Sequence, residues 1–259
     1  MSAKKKIFFG LMVIAVAAFM VQPFLAEKYV VPVLMYHHVN YSRESRSDTV
    51  SPENFQRQMT FIKAYGYRVI SLDEFIGGIK NNRIFPKKTV VLTFDDGYED
   101  NYTYAFPVLR RLNFPATIFI SPGFIGREGF LDWDEIKYMQ DKGIQYGSHG
   151  MIQAYLPEQD EAHLIYEIRE SKRILEKELK HPIKYYAYPV GGFSRDIKDR
   201  LMREGYEGAV ATNRGYDRYN KDVFEVNRVK FSDKDRSSVG IWMKLSGYYN
   251  LFRKLKKPY

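Results

Sequence analysis

Not one cysteine occurs among the 259 residues, so disulfides and thiolate metal centres are both excluded. Histidine is scarce too, five in all, and tryptophan occurs twice. The side chains able to ligate a transition metal or exchange a proton near neutral pH are therefore few enough to weigh one by one. No internal repeat or low-complexity linker divides the chain. Long apolar runs are confined to residues 7–21.

What is present points to a folded domain. Hydrophobic residues make up 45% and aromatics 16% of the chain, ample for a real core in one domain of this length. The formal net charge is +9, and most of it sits at the two ends. Lys4, Lys5 and Lys6 open the chain, Lys244, Arg253, Lys254, Lys256 and Lys257 close it, and neither end carries an acid. A nucleic-acid binder places its basic patch on the folded body, so nucleic acid is not expected as a partner. Charge at the ends points to a membrane or an anionic envelope polymer.

Residues 1–28 explain the first cluster. Three lysines precede the apolar run, and Gln22-Pro23-Phe24-Leu25-Ala26 follows it, the layout of an export signal. Cleavage after Ala26 places Phe24 at the minus-three position, while Ala15-Val16-Ala17 offers smaller residues but a shorter apolar stretch. Counted through Ala26, the run reaches about the twenty residues that span a bilayer. A removed signal peptide and an uncleaved N-terminal membrane anchor both stay open, and both export the domain. At the other end, residues 241–259 mix Leu245, Tyr248, Tyr249, Leu251, Phe252 and Leu255 with basic residues, which suits a helix seated on the domain or one lying in a membrane interface.

Between them, residues 29–240 alternate short apolar runs with amphipathic stretches. Strands are expected at 31–36, 67–70, 89–94, 116–120, 144–146, 184–188 and 208–211. Helices are expected from Ser51-Pro52, from Ser71-Leu72-Asp73-Glu74, and over about 101–112, 134–142, 161–179 and 195–204. Repeated strand-helix alternation argues for a parallel α/β sheet, and seven strands for a nearly closed barrel. Such barrels carry their chemistry at the C-terminal strand ends. That rim collects His37-His38, Asp95-Asp96, Ser148-His149 and Pro189-Val190-Gly191.

Asp95 and Asp96 end the apolar run 89–94. Two acids at the mouth of a buried strand are costly unless a cation or a proton-transfer task compensates them. Adjacent strand side chains point apart, so one acid suits a metal and the other a proton. His163 falls on an amphipathic helix with a surface role, and His181 lies in a loop with none assigned.

Thr93-Phe94-Asp95-Asp96-Gly97-Tyr98, with Gly147-Ser148-His149 downstream, resembles the polysaccharide deacetylases of carbohydrate esterase family 4, the NodB-homology fold. The opening Pro32-Val33-Leu34-Met35-Tyr36-His37-His38, the Tyr188-Pro189-Val190-Gly191 turn and Asn227-Arg228-Val229 look like the bacterial xylanase or chitin deacetylase branch. The resemblance covers about residues 30–231. It implies a distorted seven-stranded (β/α) barrel that removes acetyl groups from N-acetylhexosamine units of a cell-envelope or surface polysaccharide with one divalent metal. Zinc is the first expectation, with nickel or cobalt as alternatives.

The resemblance gives Asp95 the role of general base and makes Asp96 and His149 metal ligands. Gln153 stands where the family places a second histidine, and Gly150 where it places Ser or Thr. A neutral amide oxygen is a poor substitute for imidazole on zinc, nickel or cobalt. The position of the family's base-orienting arginine falls on Ala187, and no histidine follows His181. His37 and His38 are left as candidates for an additional ligand or the general acid, and Trp133, Tyr188 and Pro189 as lining for the sugar groove. Besides the enzyme, two readings stay open: a catalytically weakened member that binds glycan without turning it over, and an anchored scaffold that reuses the fold.

Overall fold

Thr89–Phe94 is buried along its whole length, and a strand without a solvent face needs cover on both sides. The computed structural model shows how that cover is built. It describes Met12, residues 28–41 and residues 47–259. The expected signal or anchor, with its cleavage sites, lies outside the described residues except for Met12. Among the described residues no helix is long and apolar enough to cross a membrane.

Among the described residues ten strands occur: β1 (Val33–Tyr36), β2 (His38–Val39), β3 (Thr49–Val50), β4 (Arg68–Ile70), β5 (Thr89–Phe94), β6 (Ala116–Ile120), β7 (Ile144–Ser148), β8 (Tyr185–Ala187), β9 (Gly208–Val210) and β10 (Val229–Lys230). Seven form the path β10-β1-β5-β6-β7-β8-β9, and β4 pairs beside them with the start of β5. Every pairing in this sheet is parallel. The expected distorted seven-stranded barrel is present as this curled parallel sheet.

Strand period two divides the apolar residues into two packed layers. Leu34, Tyr36, Leu92, Phe94, Ile118 and Ile120 face the outer helices, among them α1 (Pro52–Ala64), which contributes Phe55, Met59 and Ile62. Val33, Val91, Phe119, Tyr185 and Val210 face the interior, where α2 (Leu72–Lys80) adds Leu72, Phe75 and Ile76. Thr93 and Asp95 continue the inward series begun by Val91, so the polar end of β5 points into the barrel mouth. Helix starts follow the sequence signals. The Ser71 hydroxyl accepts from the Glu74 amide at 3.1 Å, and Asp132 and Glu135 form a reciprocal capping box at α4 (Trp133–Asp141). Ser51 is an exception: its hydroxyl donates to Asp233 at 2.7 Å instead of capping α1.

Three features were not expected from the pattern. The stretch at 101–112 begins as a π turn, Asn101–Ala105, before the regular helix α3 (Phe106–Leu112). The helix over 161–179, α5, changes to π geometry at Ile165–Glu170 between Glu161–Leu164 and Ser171–Leu179. Finally, β9 and β10 do not pair as strands; the segment 223–228 that leads into β10 lies along β9 instead, with the Ala209 amide donating to Val223 at 2.8 Å, the Ala211 amide to Val226 at 2.8 Å and the Arg228 amide to Thr212 at 2.9 Å. Beyond the end of β9 the C-terminal segment joins, where the Lys256 amide donates to Asn213 at 2.9 Å, the Gly215 amide to Lys256 at 2.9 Å and the Phe193 amide to Pro258 at 3.0 Å. The segment is seated on the domain, with Ile241 and Leu245 of α6 (Ser238–Leu245) in the outer core.

Gly147 in β7 is squeezed between its neighbours: a Cβ there would lie 2.5 Å from the Phe119 ring and 2.9 Å from the Tyr185 carbonyl oxygen. Gly147→Ala is expected to lose about 1–3 kcal/mol by overpacking, read as a lower urea midpoint at unchanged slope.

Candidate active site

The carboxylates at the end of β5 are separated by backbone conformation. Asp96 has φ +74 and Gly97 φ +72, two successive left-handed residues. Aspartate tolerates that region better than bulky side chains. At Gly97 a Cβ would also meet the Ile120 side chain at 2.7 Å. Asp95 therefore stays in strand register, its amide donating to Tyr36 at 2.9 Å, while Asp96 swings toward the end of β7.

Asp95 is 2% exposed and Arg228 1%. The guanidinium grips the carboxylate with both arms, Nη1 to Oδ1 and Nη2 to Oδ2 at 2.6 Å each. It also donates from Nη1 to Thr93 Oγ1 at 3.1 Å and from Nε to the Ala211 carbonyl at 2.9 Å. Burial pushes the Asp95 carboxyl up, but the Arg228 charge, the nearby His149 and the Arg228 hydrogen bonds outweigh it and hold the group below its ordinary value. The carboxylate is kept ionised and aimed.

Asp96 faces His149, with Oδ1 3.4 Å from Nε2. His149 Nδ1 lies 2.8 Å from the Ala187 carbonyl, and only a protonated Nδ1 satisfies that contact, so Nε2 faces Asp96, donating to the carboxylate when the ring is charged and carrying the free lone pair when it is neutral. Burial raises the Asp96 carboxyl, yet the His149 hydrogen bond and charge bring it down to about 2. Because that value lies below the ordinary 3.8, this pairing stabilises the fold above the ordinary value and is lost as pH falls toward 2. Burial lowers His149, while the Asp96 hydrogen bond and both aspartate charges raise it further than burial lowers it.

The two candidate histidines separate. His37 places Nε2 4.0 Å from Asp95 Oδ2, and its Nδ1 is buried without a hydrogen-bond partner. Burial lowers its pKa, against the opposing charges of Asp95 and Asp96. His38 turns away: Nδ1 meets Asp100 Oδ2 at 2.7 Å, and its ring stacks on Tyr98 with centroids 3.5 Å apart. The Tyr98 hydroxyl hydrogen-bonds Asp96. His38 thus braces the wall behind Asp96 and does not face Asp95, because Asp100 captures its ring.

The sugar-groove expectations are revised in part. Tyr188 is fully buried, stacks on Phe193 and donates its hydroxyl to Phe224 at 3.0 Å, so its ring faces are not available to a glycan. Pro189 is buried beside it, and the turn presents Val190, at φ +57 and 63% exposed. Trp133 is half-buried at the first turn of α4, packed against the outer core under Lys137.

A divalent ion can be tested against these positions. Two ligands of a tetrahedral ion with bonds of about 2.0–2.1 Å stand about 3.4 Å apart, the spacing of Asp96 Oδ1 and His149 Nε2. Among the described residues no third His, Asp or Glu joins them. Gln153 has a buried amide nitrogen without a partner and φ +63. Rotating that amide would put its oxygen in the nitrogen's place. Asp96 and His149 fit a metal.

The loop after His149 is held by a residue that the sequence did not single out. Glu167, 1% exposed, accepts from the Met151 amide at 2.9 Å and the Ile152 amide at 3.2 Å. It also accepts from the amides of Gln153 and Ala154. The π turn of α5 carries it, and Gly150 makes room: at φ +85, a Cβ there would stand 2.3 Å from Glu167 Oε2. A Ser or Thr at 150 would collide with that brace. Arg228 was also missed. The family position for a base-orienting arginine falls on Ala187, whose carbonyl instead orients His149, and the guanidinium arrives from the far edge of the sheet. Its signal was the need of a buried carboxylate for a cation, together with the Asn227-Arg228-Val229 motif.

Arg228→Met leaves Asp95 buried without its cation and is expected to cost about 3–5 kcal/mol in chemical denaturation. Adding Asp95→Asn should restore most of that loss, because no buried charge then remains. Gly150→Ser should be destabilising alone and less so on a Glu167→Ala background, a coupling read in a double-mutant cycle.

Residues 82–209 match the polysaccharide deacetylase family model. The poly-beta-1,6-N-acetyl-D-glucosamine N-deacetylase of Staphylococcus aureus is 28% identical over 206 residues, 74% of this chain and 71% of the relative. Among solved structures, the deacetylase PplD of Streptococcus pyogenes, in complex with acetate, superposes with a TM-score of 0.76 at 26% identity, covering 83% of this chain and 97% of that one. IcaB from Ammonifex degensii gives 0.74 at 25% identity over the same shares. With this match, these relatives and the Asp95-Asp96 and His149 strand ends in place, residues 82–209 form a polysaccharide deacetylase domain.

Proposed function

We propose that the protein is an exported de-N-acetylase of a polymer of N-acetylglucosamine, working with one divalent ion at Asp96 and His149. The observation that carries this reading is the Arg228-fixed carboxylate of Asp95 set beside the Asp96–His149 pair, with His37 on the same rim. The staphylococcal relative is named for poly-beta-1,6-N-acetyl-D-glucosamine, which supports a related glycan as substrate. Export by a signal or anchor in residues 1–28 brings the domain to such a polymer.

Asp95 accepts the proton of the attacking water, and Arg228 keeps it ionised and oriented while it does so. Asp96 and His149 hold the ion, with the Gln153 amide at the third position, and Ala187 and Tyr98 fix the two ligands. A bound ion supplies Lewis-acid polarisation of the acetyl carbonyl and lowers the pKa of water. His37, kept neutral by burial, takes up a proton through the neighbouring Asp95 and delivers it to the leaving nitrogen. A second reading, a weakened deacetylase that holds glycan, draws on the neutral amide at Gln153 and the absence of a third acidic or imidazole ligand among the described residues.

Acetate release from N-acetylglucosamine oligomers, with metal removed and then zinc, cobalt or nickel restored, separates the two. The enzyme is expected to lose activity with chelator and regain it with metal, and Asp95→Asn to lower kcat by about 10²–10⁴-fold. Gln153→His should tighten metal binding in either case; a large gain in rate with it, from a parent releasing no acetate with any metal, establishes the weakened reading. In the active enzyme the His37 titration in kcat/KM should fall below its ordinary 6.5 and vanish in His37→Gln.

A further inference from the structure

The end of the barrel opposite the catalytic rim carries a groove of about 590 Å³. Its floor is apolar, with Phe75, Ile79 and Phe85, and its edges hold Arg83, Lys87 and Lys221; no carboxylate lines it. Arg83 pairs outward with Glu74 at 3.1 Å. Neither Lys87 nor Lys221 makes an ion pair among the described residues, and both are exposed. Ile84 stands on the lip at 93% exposure, an apolar side chain ringed by cations.

Placement says what such a surface meets. Tyr29, Val30 and Val31 form one wall, so the groove lies where the chain enters the domain from the apolar run 7–21 and its three flanking lysines. We propose that this groove and the loop 81–88 form a docking face for an anionic phospholipid bilayer, with Ile84 entering the headgroup layer and Lys87, Lys221 and Arg83 meeting lipid phosphates. Apolar insertion framed by cations is the chemistry of interfacial binding, and each basic residue near an anionic surface adds about fivefold in affinity. The six-residue β5 separates the two barrel ends by about 20 Å. Docking therefore turns the rim outward, toward a polymer. The proposal draws its membrane proximity from the N-terminal anchor reading and is independent of the deacetylation chemistry.

The absence of cysteine makes the test direct. Full-length Ile84→Cys, and Val190→Cys at the rim as control, each carry one environment-sensitive fluorophore and are mixed with vesicles of phosphatidylcholine alone or with phosphatidylglycerol. The expected result is a blue shift and several-fold weaker iodide quenching at position 84 with phosphatidylglycerol only, no change at 190, and loss of the effect in Lys87→Glu/Lys221→Glu. Equal quenching in both vesicle types overturns the proposal. So does shielding already present in neutral vesicles or detergent, which would assign the groove to the chain's own N-terminal segment or a second copy. Vesicle flotation keeps the two ideas apart: a chain that floats while its label stays wet retains the anchor and sinks the docking face.

Discussion

Arg228 and Asp95 are both withdrawn from solvent, and neither charge is tolerable there without the other. Their two-armed contact joins β5 at the centre of the sheet to the residue just before β10 at its edge. The guanidinium also reaches Thr93 in β5 and the Ala211 carbonyl after β9. One side chain thus ties β5 to the segment that lies along β9. The same contact fixes the orientation of the Asp95 carboxylate and keeps it ionised, so holding the sheet edge and holding that carboxylate are a single structural act.

The C-terminal segment belongs to this arrangement. Arg253 donates to the backbone carbonyl of Arg228, and Arg218 to carbonyls at Asn250 and Arg253. Part of the basic end that looked free for an anionic partner is therefore spent inside the protein, on carbonyls that an open sheet edge would leave unsatisfied. Charge counted along the chain did not reveal this, because a guanidinium serves a carbonyl as readily as a phosphate.

Around Asp96 and His149, backbone conformation decides more than side-chain identity. Left-handed residues at Asp96, Gly97, Gly150 and Gln153 turn the chain sharply at two strand ends and bring Asp96 against His149. The amides freed by the second turn converge on Glu167, delivered by a π turn in α5. A carboxylate buried without a cation is held there by backbone dipoles, the arrangement that makes an oxyanion tolerable in a protein interior. The glycine at 150, which looked like a departure from the family pattern, is what leaves space for that carboxylate.

Much of this was legible in the sequence. Apolar runs with period-two and helical spacing placed β5 and β6 to the residue and β1, β4, β7, β8 and β9 within a few positions, though not β10, and the parallel alternation put His37, Asp95, Asp96 and His149 at one rim. These are local consequences of burial and backbone periodicity, which residue types carry on their face. The sequence could not assign the histidine pair at 37 and 38, since adjacent residues at a strand end are separated only by what each meets: Asp95 for one, Asp100 and Tyr98 for the other. It could not show that Tyr188 packs inward, because an aromatic ring suits a core as well as a sugar. Arg228 lies 133 residues from Asp95 and Glu167 15 residues from the Ile152 amide, and no local pattern encodes a partner at such separations. Local chemistry determined which residues stand at the rim; tertiary packing decided which charges are neutralised, which ring is free, and what each carboxylate can do.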